Sequence, residues 1–206
     1  MEPALQTGKT DGDRTRNAIL QAAEALFVEF GFAATSMATV AKRANVTKSL
    51  IHHHFGSKRE LWDAVKVAVM EDYGKQQERL VTERAPDRSL IEDSFVVYFR
   101  FLQRHPHVVR LWNWMAIESD QQCADLNRDI SLAGVSMLRK AQELGHVRAD
   151  IAPEYILAQF FTLVRGWFME RAAMRCELLA ETSEDACDEH YLRTTLKVFL
   201  AGLAPH

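Results

Sequence analysis

Apolar side chains recur along almost the whole chain at intervals of three and four residues, and sustained alternation of apolar and polar positions is nearly absent. An α-helix returns a side chain to the same face at that interval, so the pattern predicts an all-α protein with about nine helices. The first carries Ile19, Ala23, Leu26, Phe27 and Phe30 on one face, with Asp13 as its expected cap and Gly31 ending it. A short helix follows from about Ser36 to Ala44, with Met37, Val40 and Ala41 inward. Asn45 stands where a left-handed residue closes that helix, a conformation Asn tolerates better than most. Thr47 caps a second short helix, Lys48 to His54, anchored by Leu50 and Ile51. Ser57-Lys58-Arg59-Glu60 is a capping box and opens a long helix through Leu61, Val65 and Val69 to about Val81. Beyond Pro86, helical runs are expected at roughly 88–104, 106–119, 121–144, 153–176 and 185–203. Pro106, the Gly145-to-Pro153 stretch and an acidic loop around Glu181 to Asp185 separate them. Gly145 suits the position just past a helix end, and Pro153 a first turn.

Charge adds a second pattern. From Phe30 to Arg59 there is no acidic residue, while Lys42, Arg43, Lys48, Lys58 and Arg59 are basic; the chain as a whole sums to −3, so the rest is net acidic. Such a segment fits either a solvated face or a polyanion partner, whose condensed counterions are released when its phosphates are neutralised. Hydrophobic residues make up 48% of the 206, enough for a sizeable core. No apolar run approaches the roughly 20 residues needed to span a bilayer. Residues 1–13 lack the basic-then-apolar order of a secretory signal and read as a disordered leader. Cys123, Cys176 and Cys187 are odd in number and show no CxxC spacing, which predicts neither a disulfide framework nor a zinc site and suits a reducing cytoplasm.

The two short helices joined through Ala44-Asn45-Val46 have the size and turn of a helix-turn-helix, in which the first helix braces on the DNA backbone and the second lies in the major groove. The second helix offers Thr47, Lys48 and Ser49 at its start and His52 and His53 on its exposed side, all able to donate to bases or phosphates. The stretch from Arg16 to Leu61 resembles the DNA-binding domain of TetR-type transcriptional regulators. The shared features are an Ala-rich opening helix with a Leu-Phe core, a Gly-Phe-x-x-Thr-Ser link, the helix-turn-helix and a His-His-Phe-x-Ser-Lys ending. The resemblance implies a three-helix DNA-binding domain over 14–60 and a ligand-binding and dimerisation domain over 61–206. It implies phosphate contacts at Thr35 and Ser36, base reading by Thr47, Lys48 and Ser49, and phosphate and groove contacts at His52, His53 and His54. Lys58 then adds its charge to a helix N-terminus as a phosphate clamp. Three positions depart from the family: Ser49 stands for the usual glycine, Leu50 for threonine and His52 for tyrosine. An imidazole is shorter than a phenol, stacks less well and changes charge near neutral pH, which bears on the bases read.

Consecutive residues on a helix point about 100° apart, so His52, His53 and His54 cannot converge on one metal ion. His105 and His107 flank Pro106 at a helix start and read as capping or surface residues. No nucleophile elbow, glycine-rich phosphate loop or HExxH motif occurs, and no enzyme, metal or cofactor is expected. Two aromatic clusters remain: Phe95, Tyr98, Phe99, Phe101, Trp112 and Trp114 with Met115, and Phe160, Phe161, Val164, Trp167, Phe168 and Met169. Residues of these kinds either fill a core or line a pocket for a small apolar effector, with Asn113, Glu118, Tyr155 or Arg165 as polar contacts. The family resemblance implies a cavity among these helices. Its candidate lining is Phe95, Phe99, Trp112, Trp114, Met115, Glu118, Phe161, Val164, Arg165 and Phe168. Leu192, Leu196, Phe199, Leu200 and Leu203 form a stripe on the last helix. The resemblance further implies a homodimer through the last two helices, presenting two recognition helices to a palindromic operator. The expected protein is a cytoplasmic, ligand-responsive repressor with operator DNA and a small apolar effector as partners and no membrane association. The alternative is an all-α small-molecule-binding protein whose helix-turn-helix no longer reads a specific sequence.

Overall fold

A computed structural model of the chain describes residues 11–120, 128–179 and 183–205, and all regular structure among them is helical. The helices are α1 (Asp11–Ala34), α2 (Met37–Ala44), α3 (Lys48–Phe55), α4 (Lys58–Glu83), α5 (Arg88–Arg104), α6 (Pro106–Ile117), α7 (Arg128–Glu143), α8 (Pro153–Glu177) and α9 (Glu184–Gly202). Most of the expected leader, Cys123, the start of the expected 121–144 helix and the loop at Glu181 lie outside the described residues.

Local chemistry sets the boundaries. Backbone N–H groups at helix starts have no partner inside the helix, and short side-chain oxygens supply one. Ser36, Thr47, Asp87 and Ser183 accept from Thr39, Leu50, Leu90 and Ala186 in this way. The Ser57–Glu60 box closes in both directions, Glu60 N–H donating to Ser57 Oγ at 3.1 Å and Ser57 N–H to Glu60 Oε2 at 2.8 Å. Asn45 is left-handed (φ 54°, ψ 46°) and ends α2. Two expectations change at α1. Asp13 lies inside its acidic first turn rather than at a cap. Phe30 shares the apolar stripe yet is 47% exposed. The buried position at this level is the next residue, Gly31, packed against Trp114.

The chain forms two compact units. One holds the residues up to Val69 together with Trp114–Asp120; the other holds Met70–Asn113 and the described residues after Asp120. The sequence-based boundary at residue 60 therefore differs from the structure, because α4 and α6 each contribute to both units.

In the first unit α1, α2 and α3 pack around Ile19, Ala23, Leu26, Phe27, Val40 and Ile51, and Trp62 meets Phe27 edge-on at 4.8 Å. The end of α6 docks where α1 breaks. Gly31 has φ 78° and ψ 178°, and a Cβ there would lie 2.7 Å from the Trp114 ring and 2.9 Å from the Glu118 carboxylate. The break takes backbone groups out of the helical ladder, and two of them find side chains. Trp114 Nε1–H donates to the Val28 carbonyl at 3.2 Å, and Ala33 N–H donates to Glu118 Oε1 at 3.0 Å. Asp120 completes the attachment. Its carboxylate, 5% exposed, accepts from Trp62 Nε1 at 2.7 Å, from Lys66 Nζ at 3.1 Å and from Arg59 Nη2. Burial alone would raise its pKa, but these three hydrogen bonds outweigh burial and hold the carboxyl well below the usual range.

In the second unit α5, α8 and α9 pack around Phe95, Phe99, Val164, Trp167, Phe168 and Phe199, with α7 against α8. Asp188, buried at 1% exposure, accepts from Trp167 Nε1 (2.7 Å), Arg171 Nη1 (2.8 Å) and Gln103 Nε2 (3.1 Å).

Removing the Asp120 charge leaves Lys66 buried with a weakened counter-charge. Asp120→Asn should therefore cost about 3 kcal/mol at neutral pH, measured by urea unfolding. A lowered folded-state pKa means the wild-type advantage is complete above the ordinary carboxylate range of about 4 and is lost as pH falls further. The gap between wild type and Asp120→Asn should shrink only in that acid window.

Candidate nucleic-acid interface and effector cavity

The start of α3 is a short-range construction. Thr47 Oγ1 accepts from Leu50 N–H at 3.3 Å and shares a 2.9 Å hydrogen bond with Ser49 Oγ, so both hydroxyls stand at the helix N-terminus. Lys48 is exposed beside them, and Ile51 and Phe55 fix the opposite face in the core. Ser36 is exposed at the N-terminus of α2, bonded to Thr39 N–H at 3.1 Å and to the Thr39 hydroxyl at 2.8 Å. Lys42 and Arg43 are exposed at the other end of α2. Helix N-termini with exposed hydroxyls and nearby cations are suited to phosphate oxygens.

The histidines divide. His52 Nδ1 hydrogen bonds to the Gly56 carbonyl. A carbonyl only accepts, so Nδ1 carries the proton and Nε2 faces away from that bond. His53 is exposed, His54 half-buried, and their rings meet edge-on at 5.5 Å.

Two of the sequence candidates are differently employed. Thr35 is 3% exposed and its hydroxyl donates to Gly31 O at 2.8 Å and Leu26 O at 3.2 Å. It anchors the link between α1 and α2 and offers nothing to a phosphate. Lys58 donates to the Ala33 carbonyl at 3.2 Å and lies 4.3 Å over the Phe32 ring. Burial lowers its pKa, with Glu118 opposing. Arg16, 5.0 Å over Phe55, is a basic residue of α1 that the motif reading passed over.

The second unit contains a cavity of about 480 Å³. Its floor is formed by buried Tyr73, Gln77, Ile91, Ser94, Ile156 and Phe160, and its rim by exposed Glu71, Lys75, Glu78 and Asp129. α7 contributes Ile130, Ala133, Gly134, Met137 and Leu138 as one wall.

Of the ten residues expected at an effector site, Phe161 lines this cavity. Trp114, Met115 and Glu118 belong to the first unit, where Trp114 and Glu118 hold the end of α1. Phe95, Phe99, Val164 and Phe168 are core: Phe95 packs on Phe160 and Phe199, and Phe99 on Phe168 at 4.8 Å. Arg165 lies 5.6 Å from both the Trp112 and Phe161 rings. Aromatic density marks the packed core here, whereas the cavity wall is largely aliphatic. The signal for that wall was present: residues 130, 133, 134, 137 and 138 repeat at the spacing of one helix face.

Two family models match the chain: "Bacterial regulatory proteins, tetR family" over residues 19–65, and "Tetracyclin repressor-like, C-terminal domain" over residues 95–196. The HTH-type transcriptional repressor Rv3405c of Mycobacterium tuberculosis is 38% identical over 100 residues, 48% of this chain and 47% of that protein. The chain thus spans about half the length of several curated relatives it matches. The repressor NicS of Pseudomonas putida is 22% identical over 213 residues, 97% of this chain and 99% of NicS. Among solved structures, SmeT, the repressor of a Stenotrophomonas maltophilia multidrug efflux pump, superposes with TM-score 0.72 at 25% identity, covering 94% of this chain and 92% of SmeT.

The burial pattern separates two substitutions. Val164→Trp, at a fully buried site away from the cavity, should overpack the core and cost about 1–3 kcal/mol or more in urea unfolding. Phe161→Trp, at the half-buried lining, should stay within about 1 kcal/mol of wild type.

Proposed function

This chain belongs to the TetR family of bacterial regulatory proteins, and we propose that it is a ligand-responsive transcriptional repressor. The observation that carries the reading is the exposed N-terminus of α3. Thr47, Lys48 and Ser49 stand there on a helix braced by α1 and α2, in a segment without an acidic residue. The start of α3 enters the major groove, and Ser36, Lys42 and Arg43 grip the backbone on either side of it. The cavity in the second unit receives the effector. α8 and α9 leave Tyr155, Met169, Met174 and Val198 exposed and bound a groove of about 510 Å³ that includes Leu163, Trp167 and Met174. An apolar face of this kind supports a two-fold dimer through the last two helices, which pairs two α3 helices on a palindromic operator. Among the described residues no helix is long and apolar enough to cross a membrane. We place the protein in the cytoplasm, with the DNA. Effector and operator then oppose each other by equal factors, since a coupling free energy is reciprocal. A helix-turn-helix that no longer reads DNA is not favoured by relatives whose names are those of transcriptional regulators and repressors.

Lys48→Ala should relax sequence preference, costing about 1–3 kcal/mol on the operator and little on unrelated DNA. Arg43→Ala should instead weaken both alike and shallow the salt dependence. Equal behaviour of the two variants in gel-shift titrations would count against these roles.

A second expectation concerns His52, whose Nδ1–H is bonded to the Gly56 carbonyl and leaves Nε2 for a contact. His52→Phe should weaken operator binding in gel-shift titrations, and an unchanged affinity would remove His52 from the interface.

A further inference from the structure

Resting on the reading of the cavity as the effector site, we propose that its ligand is an uncharged, mostly apolar molecule carrying one hydroxyl or carbonyl group, seated on Ser94. Most of the floor is aliphatic or aromatic, with Ile91, Leu138, Ile156, Phe160 and Phe199 all under 7% exposed. Ser94 interrupts it. This residue is 6% exposed, and its Oγ has no hydrogen-bond partner among the described residues. A buried hydroxyl without a partner is costly, and a ligand group that donates to or accepts from it removes that cost. The neighbouring polar group is already oriented. Gln77, 5% exposed, gives one Nε2–H to the Ser94 carbonyl at 3.0 Å, which fixes the plane of its amide. Amid apolar surface and beside the Tyr73 phenol, the floor therefore holds a buried, unpartnered serine hydroxyl that a χ1 rotation turns toward one polar atom on an otherwise apolar molecule.

Charge argues against an ionised ligand of either sign. The rim carries the carboxylates of Glu71, Glu78 and Asp129 against the single ammonium of Lys75, which is bonded to Glu71 at 2.6 Å. An anion would cross a net negative rim, where Lys75 is already bonded to Glu71, and find no cation on the floor. Arg165, the cation whose field reaches Tyr73 and Tyr98, is stacked on Trp112 and Phe161 and is not part of that lining. A buried cation would find only neutral dipoles on the floor, and an ion placed among those is strongly disfavoured. Tyr73 adds a neutral group, since burial, reinforced by Tyr98 and opposed by Arg165, pushes its phenol well above the usual value. The volume of about 480 Å³ lies within the roughly 300–1,000 Å³ of pockets that hold drug-sized molecules.

The test uses the full chain and three probes of equal length, decan-1-ol, decanoate and decyltrimethylammonium, each below its micellar concentration. They compete against diphenylhexatriene, whose emission reports an apolar site. Decan-1-ol should displace the dye at a concentration about tenfold or more below either charged probe. Ser94→Ala should raise the decan-1-ol requirement about tenfold while diphenylhexatriene, which has no polar group, binds as before. A charged probe that matches decan-1-ol, or a Ser94→Ala variant with unchanged decan-1-ol binding, would overturn the inference. Leu157→Trp and Ala133→Phe fill the cavity and should abolish dye binding; Ala133 is exposed at the rim, so that variant keeps the fold by circular dichroism. Dye binding that survives in the folded variants, or that is absent from wild type, would overturn the cavity as an effector site, a failure separate from that of the head-group chemistry.

Discussion

The first unit is organised by a buried carboxylate that has enough donors to stay ionised. Asp120 takes hydrogen bonds from an indole, a guanidinium and an ammonium, and the ammonium of Lys66 is itself only 1% exposed. Stripping water from such charges is expensive, and only a complete set of partners offsets the cost. The consequence is positional. With Asp120 fixed to α4, the turn before it holds Trp114 and Glu118 against the broken end of α1. There Gly31 has no side chain to obstruct them, and its positive φ would strain any other residue. α2 starts six residues on from Gly31, across the buried Thr35 hydroxyl. The helix-turn-helix thus hangs on a link whose backbone groups are satisfied from outside α1.

Beyond that link, the helix-turn-helix needs little long-range support. Ser36, Asn45, Thr47 and the Ser57–Glu60 box each act within four residues of chain, and together they set where α2, α3 and α4 begin and end. Buried Val40, Ile51 and Phe55 then choose the inward faces, which leaves Lys48, Ser49 and His53 outward. The cations divide by the same logic. Arg59 and Lys58 lie in the same basic run, yet Arg59 is bonded to Asp120 and Lys58 sits over Phe32 on a carbonyl. Only part of the positive segment is left to a polyanion.

The second unit uses a similar device, with Asp188 receiving Trp167, Arg171 and Gln103. This cross-links α5, α8 and α9 through groups far apart in sequence. Most large aromatics of this unit are consumed by that packing, and the open volume lies to one side, walled by α7 over a floor that includes Tyr73 and Phe160. The residues that α7 contributes to that wall include no aromatic, so aromatic density does not point to it.

The sequence by itself determined the all-helical class, the helix boundaries from α2 to α6, the left-handed Asn45 and the Ser57–Glu60 capping box, because each depends on groups a few residues apart. It also gave the identity of the helix-turn-helix, whose motif is compact in sequence. Tertiary structure decided what no local pattern encodes: that Thr35 is buried, that Trp114, Met115 and Glu118 belong to the first unit, and that Ser94 is an orphan hydroxyl in the cavity lining. Those outcomes depend on which distant helix supplies the missing partner or fails to fill the space. Periodicity gives the face of a helix that turns inward, but not the neighbour it meets there.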